Sequence, residues 1–274
     1  SDGSAPARRT HLLTDRSLHS NLHTVAMPDN RWILSFAPGN TQGSAELREL
    51  LGAKGGGLHE MSRLGLPVPP GFTITTEACT HFFAHGEEWP IGLSGQLDTA
   101  IDALQATAEQ TLGDAQVPLL VSVRSGAAAS MPGMMDTVLN VGLNDVTVHG
   151  LAARSGNQAF AWDSYRRFVS MFGDVVLGIH YTRFSRAEEA FLAGRSLEDL
   201  SLAELEALTA RMIEVVTEYG SEFPQDPREQ LRCAVDAVFR SYNSHRARYY
   251  RKRHRISDDA GTAVSIQAMV FGNM

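Results

Sequence analysis

Residues 119–145, LLVSVRSGAAASMPGMMDTVLNVGLND, leave the chain few choices of local structure. Leu119, Leu120, Val121 and Val123 form a short apolar, partly β-branched run that predicts a buried strand, with Arg124 and Ser125 at its end. Gly126, three alanines, Ser130, Pro132 and Gly133 follow, all compact enough to let a backbone approach a ligand closely. Val138, Leu139, Val141 and Leu143 then resume an apolar pattern. The prediction is a strand, a small-residue loop and a second element, with a guanidinium at the first junction. Successive backbone donors in such a loop make an anion-binding concavity, and a planar arginine can bond two phosphate oxygens at once. The plainer alternative is a tight hairpin whose arginine pairs with a carboxylate. Neither G-x-x-x-x-G-K-[ST] nor G-x-G-x-x-G occurs, so no standard phosphate fingerprint decides between them.

A second glycine-rich stretch, LGAKGGGLHEMSRLGLPVPPGFTITTEAC at 51–79, places Lys54 among Gly52 and Gly55 to Gly57, with Leu58, Met61 and Leu64 following at helical spacing. The lysine is expected in a glycine-rich turn that opens a helix, where unpaired N–H groups favour anions. A solvated surface lysine is the alternative. Thr76 is expected to cap the helix carrying Cys79, His81 and Phe82, and GLPVPPG at 65–71 to end the one before it. His81 and His85 share a helix face, but no Cys or carboxylate completes a metal site. No metal ligand is assigned to this chain.

These stretches, with FAWDSYRRFVSMFGDVVLGI at 160–179, EFPQDPREQL, AVDAVFRSYN and ISDDAGTAVSIQAMVFGNM, run in order over about residues 45–274. Together they resemble the N-terminal, ATP-grasp nucleotide-binding domain of the pyruvate, phosphate dikinase family. The resemblance implies an α/β (α+β) fold, the first part of an ATP-grasp domain with a helical insert. It implies a nucleotide-binding part at 31–146 and 228–274 and a helical subdomain at 147–227. Residues 1–30 read as a tail, with an organellar address or an upstream extension of Met27 as alternatives.

For the site, the resemblance implies that Lys54 and Arg124 act on ATP phosphates, and that the loop with Ser125, Gly126, Gly133, Met134, Met135, Asp136 and Thr137 wraps them. Ala53 departs from the glycine usual before that lysine. The implied cofactors are ATP and Mg²⁺, the metal held by a second lobe that follows the matched region. The implied partners are a phosphohistidine domain and a pyruvate-binding barrel, with a homodimer open. The implied reaction converts ATP, phosphate and pyruvate into AMP, pyrophosphate and phosphoenolpyruvate. A pyruvate, water dikinase domain and a non-catalytic nucleotide-binding module are the alternatives; MPGMMDT and DSYRRF favour the phosphate-using type.

With 274 residues, 43% of them hydrophobic, the chain can bury a sizeable core, and its net charge of -7 gives no general attraction to nucleic acid or membrane. Cys79 and Cys233 have no metal or disulfide spacing and fit free thiols in a reducing compartment, here the cytoplasm. Helical periods are expected at 97–108, 160–172 and 201–219, the last with Ser201 and Glu204 as a capping box. Asp163 beside Arg166 and Arg167 reads as a salt-bridged surface. The basic run RARYYRKRHR at 246–255 reads as a solvated helix end rather than a nucleic-acid contact. The alternation of Ala263, Ser265 and Gln267 with Val264, Ile266 and Ala268 predicts a strand.

Overall fold

The computed structural model describes residues 31–272; the expectations for residues 1–30 lie outside them. A six-stranded sheet organises the part from Trp32 onward. Its strands are β1 (Ile33–Ala37), β2 (Asn40–Thr41), β3 (Gly71–Ile74), β4 (Val121–Gly126), β5 (Thr137–Val141) and β6 (Ala263–Ala268). They lie in the order β2-β1-β3-β6-β4-β5 with every pairing antiparallel. The two strands expected on either side of the small-residue loop are β4 and β5, paired as a hairpin.

The register sorts the side chains onto two faces of different character. Alternation along each strand puts Ile33, Phe72, Ile74, Val123, Val138, Val264 and Ile266 on one face, all buried in the main apolar cluster. Against it pack α2 (Thr76–Ala84), α3 (Leu93–Ala108) and α8 (Pro227–Tyr242). Leu97, Ile101 and Leu104 are the buried stripe of α3, as their helical spacing predicts. The opposite face carries Leu34, Phe36, Thr73, Ser122, Arg124, Gly126, Ser265 and Gln267, and is covered by α1 (Arg48–Arg63).

Helix α1 corrects one expectation. Gly55 to Gly57 are not in a turn; they lie inside a helix that starts at Arg48 and kinks at Gly52, where φ is 68°. Gly52 and Gly55 serve close packing instead. A Cβ on Gly55 would sit 3.1 Å from Thr73 Cγ2, and one on Gly52 would sit 1.6 Å from the Gly126 carbonyl oxygen. Helix propensity is given up at Gly52 and Gly55 so that α1 can lie on β3 and on the backbone of β4.

Thr76 is also not a cap. It is the first residue of α2, and its hydroxyl donates to the Glu49 carbonyl at 2.8 Å, which ties α2 to the start of α1.

Between β5 and α8 lie α4 (Thr147–Ser155), α5 (Gln158–Val175), α6 (Thr182–Leu192) and α7 (Leu202–Glu218). Tyr165, Phe168 and Phe172 of α5 pack around Phe223, and α5 also contacts α7 and β5. Both halves of the Ser201–Glu204 capping box form. Asp163 pairs with Arg166 at 2.7 Å and with Arg167. Arg166 is buried rather than on the surface, since Glu188 of α6 pairs with it from the other side.

The basic run forms α9 (His245–His254), and one of its members departs from the expectation of a solvated face. Arg251 is 1% exposed: its guanidinium lies 3.9 Å from the Tyr242 ring centroid, donates to the Tyr242 carbonyl and binds Asp258 at 2.7 Å. Cys79 is buried and Cys233 half-buried, both free thiols. The rings of His81 and His85 stack with centroids 3.8 Å apart.

His59 of α1 is fully buried, with Nδ1 2.6 Å from Thr41 Oγ1, its ring edge-on to Phe36 and Nε2 without a partner. Burial disfavours the imidazolium and lowers the pKa to about 4. Between pH 6.5 and 4 the unfolded chain takes up this proton and the folded chain does not, so stability falls with pH across that window. The shift corresponds to about 3 kcal/mol, and His59→Gln is expected to remove that part of the slope in urea titrations at successive pH values. Gly52→Ala is expected to cost about 3 kcal/mol or more, from the left-handed backbone and the clash with Gly126. Gly57→Ala, with nothing within 4 Å of the added Cβ, is expected to stabilise by about 0.5–1 kcal/mol in thermal melts.

Candidate functional site

The kink at Gly52 sets the site geometry. Because α1 touches the β4 backbone there, the turn after the kink brings Lys54 to the end of β4: a Cβ on Gly126 would lie 3.7 Å from Lys54 Cβ. The Ala53 N–H donates to the Ala127 carbonyl at 3.0 Å, and Arg48 Nε donates to the Ala128 carbonyl at 3.0 Å. From across the sheet, Thr262 Oγ1 accepts from the Gly126 N–H at 3.2 Å. The first three residues of the small-residue loop are thus held from α1 and from the strap before β6.

Arg124 stands on the same sheet face as Gly126 and is exposed. Register places it across from Ser265 on one side and Thr137 on the other, with Thr73 beyond Ser265. Four polar side chains thus cross four strands in one row. Thr73 and Ser265 are buried there with hydroxyls that have no partner.

Lys54 and Arg124 are close enough to repel. Lys54 is exposed by surface area, yet burial of part of its side chain, and after that the Arg124 charge, lower its pKa from the ordinary lysine value. Neither has a carboxylate partner among the described residues, whereas Arg63, Arg211, Arg240 and Arg246 each pair with one. The backbone N–H groups of Ala128, Ala129 and Ser130 donate to no atom of the described protein. Two uncompensated cations beside a run of free donors make a place where an anion is the missing partner.

The other expected residues divide. Gly133 takes φ 70° with open space around it, the turn of the loop. Ser125 is 3% exposed, on the strand face turned away from Arg124, so its backbone rather than its hydroxyl is what the loop side meets. Met134 and Met135 are half-buried against a small cluster of Ala127, Met131 and Tyr242, with Tyr250 and Ile256 nearby. Asp136 accepts from Arg246 at 2.7 Å, and its N–H donates to Ser241 Oγ at 3.2 Å. The second half of the loop is therefore anchored to α8 and α9. Among the described residues no group of three or more His, Cys, Asp or Glu is arranged to hold a metal ion.

Sequence reading missed Arg48 and Thr262. Arg48 begins a helix next to Glu49, a setting that reads as a surface ion pair, and its six-residue offset from Lys54 does not mark a shared helix face. Thr262 acts through a contact 136 residues away, which no local pattern reveals.

The description "Pyruvate phosphate dikinase, AMP/ATP-binding domain" fits residues 48–112 and 87–274 in two matched segments. Pyruvate, phosphate dikinase of Rhizobium meliloti (strain 1021) is 48% identical over 248 residues, 89% of this chain. The chloroplastic pyruvate, phosphate dikinase of Flaveria trinervia is 49% identical over 97% of the chain, and the Clostridium symbiosum enzyme 47% over 89%. The chain therefore belongs to the pyruvate, phosphate dikinase AMP/ATP-binding domain family, and it spans about 28% of the length of those relatives. The structure, a mixed α/β domain around one antiparallel sheet, agrees with that membership. No helix among the described residues is long and apolar enough to cross a membrane.

Arg124→Gln is expected to raise the Lys54 pKa only part of the way to the ordinary lysine value, since burial, the larger cause, remains. Side-chain nitrogen NMR of Lys54 across a pH series reads this directly.

Proposed function

We propose that this chain binds Mg-ATP with its polyphosphate on the β4–β5 loop, beside Lys54 and Arg124, as the nucleotide-binding part of a pyruvate, phosphate dikinase. The observation that carries the reading is the pairing of two carboxylate-free cations, Lys54 and Arg124, with the free N–H groups that follow Gly126. Lys54 supplies a point charge and Arg124 a planar fork, so one neutralises and the other orients. Phosphoryl transfer asks the protein chiefly for position and charge stabilisation, and these groups supply both without a proton transfer.

In this reading the loop backbone from Gly126 to Gly133 wraps the phosphates, while Met134, Met135, Asp136 and Thr137 set the position of its second half. Mg²⁺ arrives with the nucleotide. Residues 31–146 and 228–274 form the nucleotide-binding part and 147–227 the helical subdomain. Overall, ATP, phosphate and pyruvate give AMP, pyrophosphate and phosphoenolpyruvate, with the phosphoryl group reaching pyruvate through a histidine on another domain, in the cytoplasm. The phosphate-using reaction is preferred to the water-using one because the named relatives are pyruvate, phosphate dikinases.

Calorimetric titration of Mg-ATP into the chain tests the reading. Lys54→Ala and Arg124→Ala are each expected to weaken binding by roughly 2 kcal/mol, about thirtyfold, with thermal melts showing a folded protein. A folded wild type that takes up no ATP, or variants that bind it unchanged, would refute this assignment.

A further inference from the structure

Arg48 is the third cation at the small-residue loop, and neither family membership nor the sequence pattern gave it a role. Its Nε–H donates to the Ala128 carbonyl at 3.0 Å, while its two terminal nitrogens have no partner in the described protein. Glu46 and Glu49 lie within two residues of it in sequence, and neither forms an ion pair with it. By contrast Arg63, at the other end of the same helix, is paired with Glu60. An exposed arginine bonded only through Nε to a loop carbonyl keeps most of its donors available.

The place it occupies matters. Ala53 holds the Ala127 carbonyl and Arg48 holds the Ala128 carbonyl, so two successive peptide groups are fixed from one helix. In a trans peptide the N–H points opposite to the C=O. The N–H groups of Ala128 and Ala129 are therefore turned to the side of the loop away from α1. Arg48 thus fixes the direction of the donors and adds a charge at their edge.

We infer that Arg48 is a polyphosphate-binding residue of the nucleotide site, using one donor on the loop and its terminal nitrogens on a phosphate beyond the first. The inference rests on the proposed ATP site. It makes Arg48 a determinant of triphosphate over monophosphate recognition, since the loop it fixes is the part that wraps the outer phosphates.

The test is competitive titration of Mg-ATP and of AMP on the wild-type chain, Arg48→Gln and Arg48→Lys. Arg48→Gln is expected to weaken Mg-ATP about tenfold, as loss of one charge-assisted contact does, and AMP less than about threefold. Arg48→Lys, which keeps the charge, is expected to lose less for Mg-ATP than Arg48→Gln. Unchanged Mg-ATP affinity in Arg48→Gln overturns the inference and leaves the Lys54–Arg124 site standing. Equal losses for ATP and AMP overturn it as well, reducing Arg48 to a structural latch. A folded wild type without ATP binding overturns the site and this inference together.

Discussion

The contact between Gly52 and the Gly126 carbonyl governs how helix and sheet meet. A methyl group at Gly52 would lie 1.6 Å from that oxygen, so only a residue without a side chain lets α1 rest on the backbone of β4. The same glycine takes a left-handed conformation that breaks the helix one turn after it starts. The break turns Ala53 and Lys54 toward the loop, and Gly55 continues the close approach over Thr73. Packing that is unfavourable for helix propensity is offset by the position it gives two functional groups. The site is thus built from backbone proximity first and side-chain chemistry second.

Electrostatics divides the molecule along the same line. Elsewhere on the described surface several arginines meet carboxylates: Arg195 with Glu204, Arg211 with Glu218, Arg228 with Asp98, Arg246 with Asp136. Surface pairs of this kind contribute little stability individually. Their significance lies in the contrast with Arg48, Lys54 and Arg124, which have none although the chain carries more acidic than basic residues. The Lys54 pKa is lowered first by burial of its side chain and then by the nearby Arg124 charge, both of which disfavour the ammonium form. Such a penalty persists where a ligand relieves it.

Much of this was legible in the sequence, for physical reasons that differ by element. The β4–β5 hairpin was readable because apolar alternation flanks a loop of small residues. Helix α7 was readable because Ser201 and Glu204 mark its start chemically as well as by period. The glycines of α1 were misleading: a run of three predicts a turn when local propensity decides, and tertiary contact decided otherwise. Arg251 was misread for a similar reason, since a basic run looks solvated until an aromatic ring from before it and a carboxylate from after it in the chain enclose it. Within the candidate site, the family resemblance pointed to Lys54 and Arg124, which the fold brings close together, while the anchoring of Asp136 by Arg246 and of Gly126 by Thr262 depended on long-range geometry.

The strap from Thr262 into β6 carries a consequence for the order in which the protein comes into being. β6 is inserted between β3 and β4, and its first hydroxyl contact with the loop spans 136 residues. Closing so long a loop costs entropy before any pairing repays it. On the ribosome, β4 and its arginine emerge long before the strand that will flank them. Until β6 is made, Arg124 lies on an edge strand of the β4–β5 hairpin and Gly126 lacks its partner. The complete site therefore forms only after β6 has been made, and a nascent chain displays the loop well before it holds the loop in place.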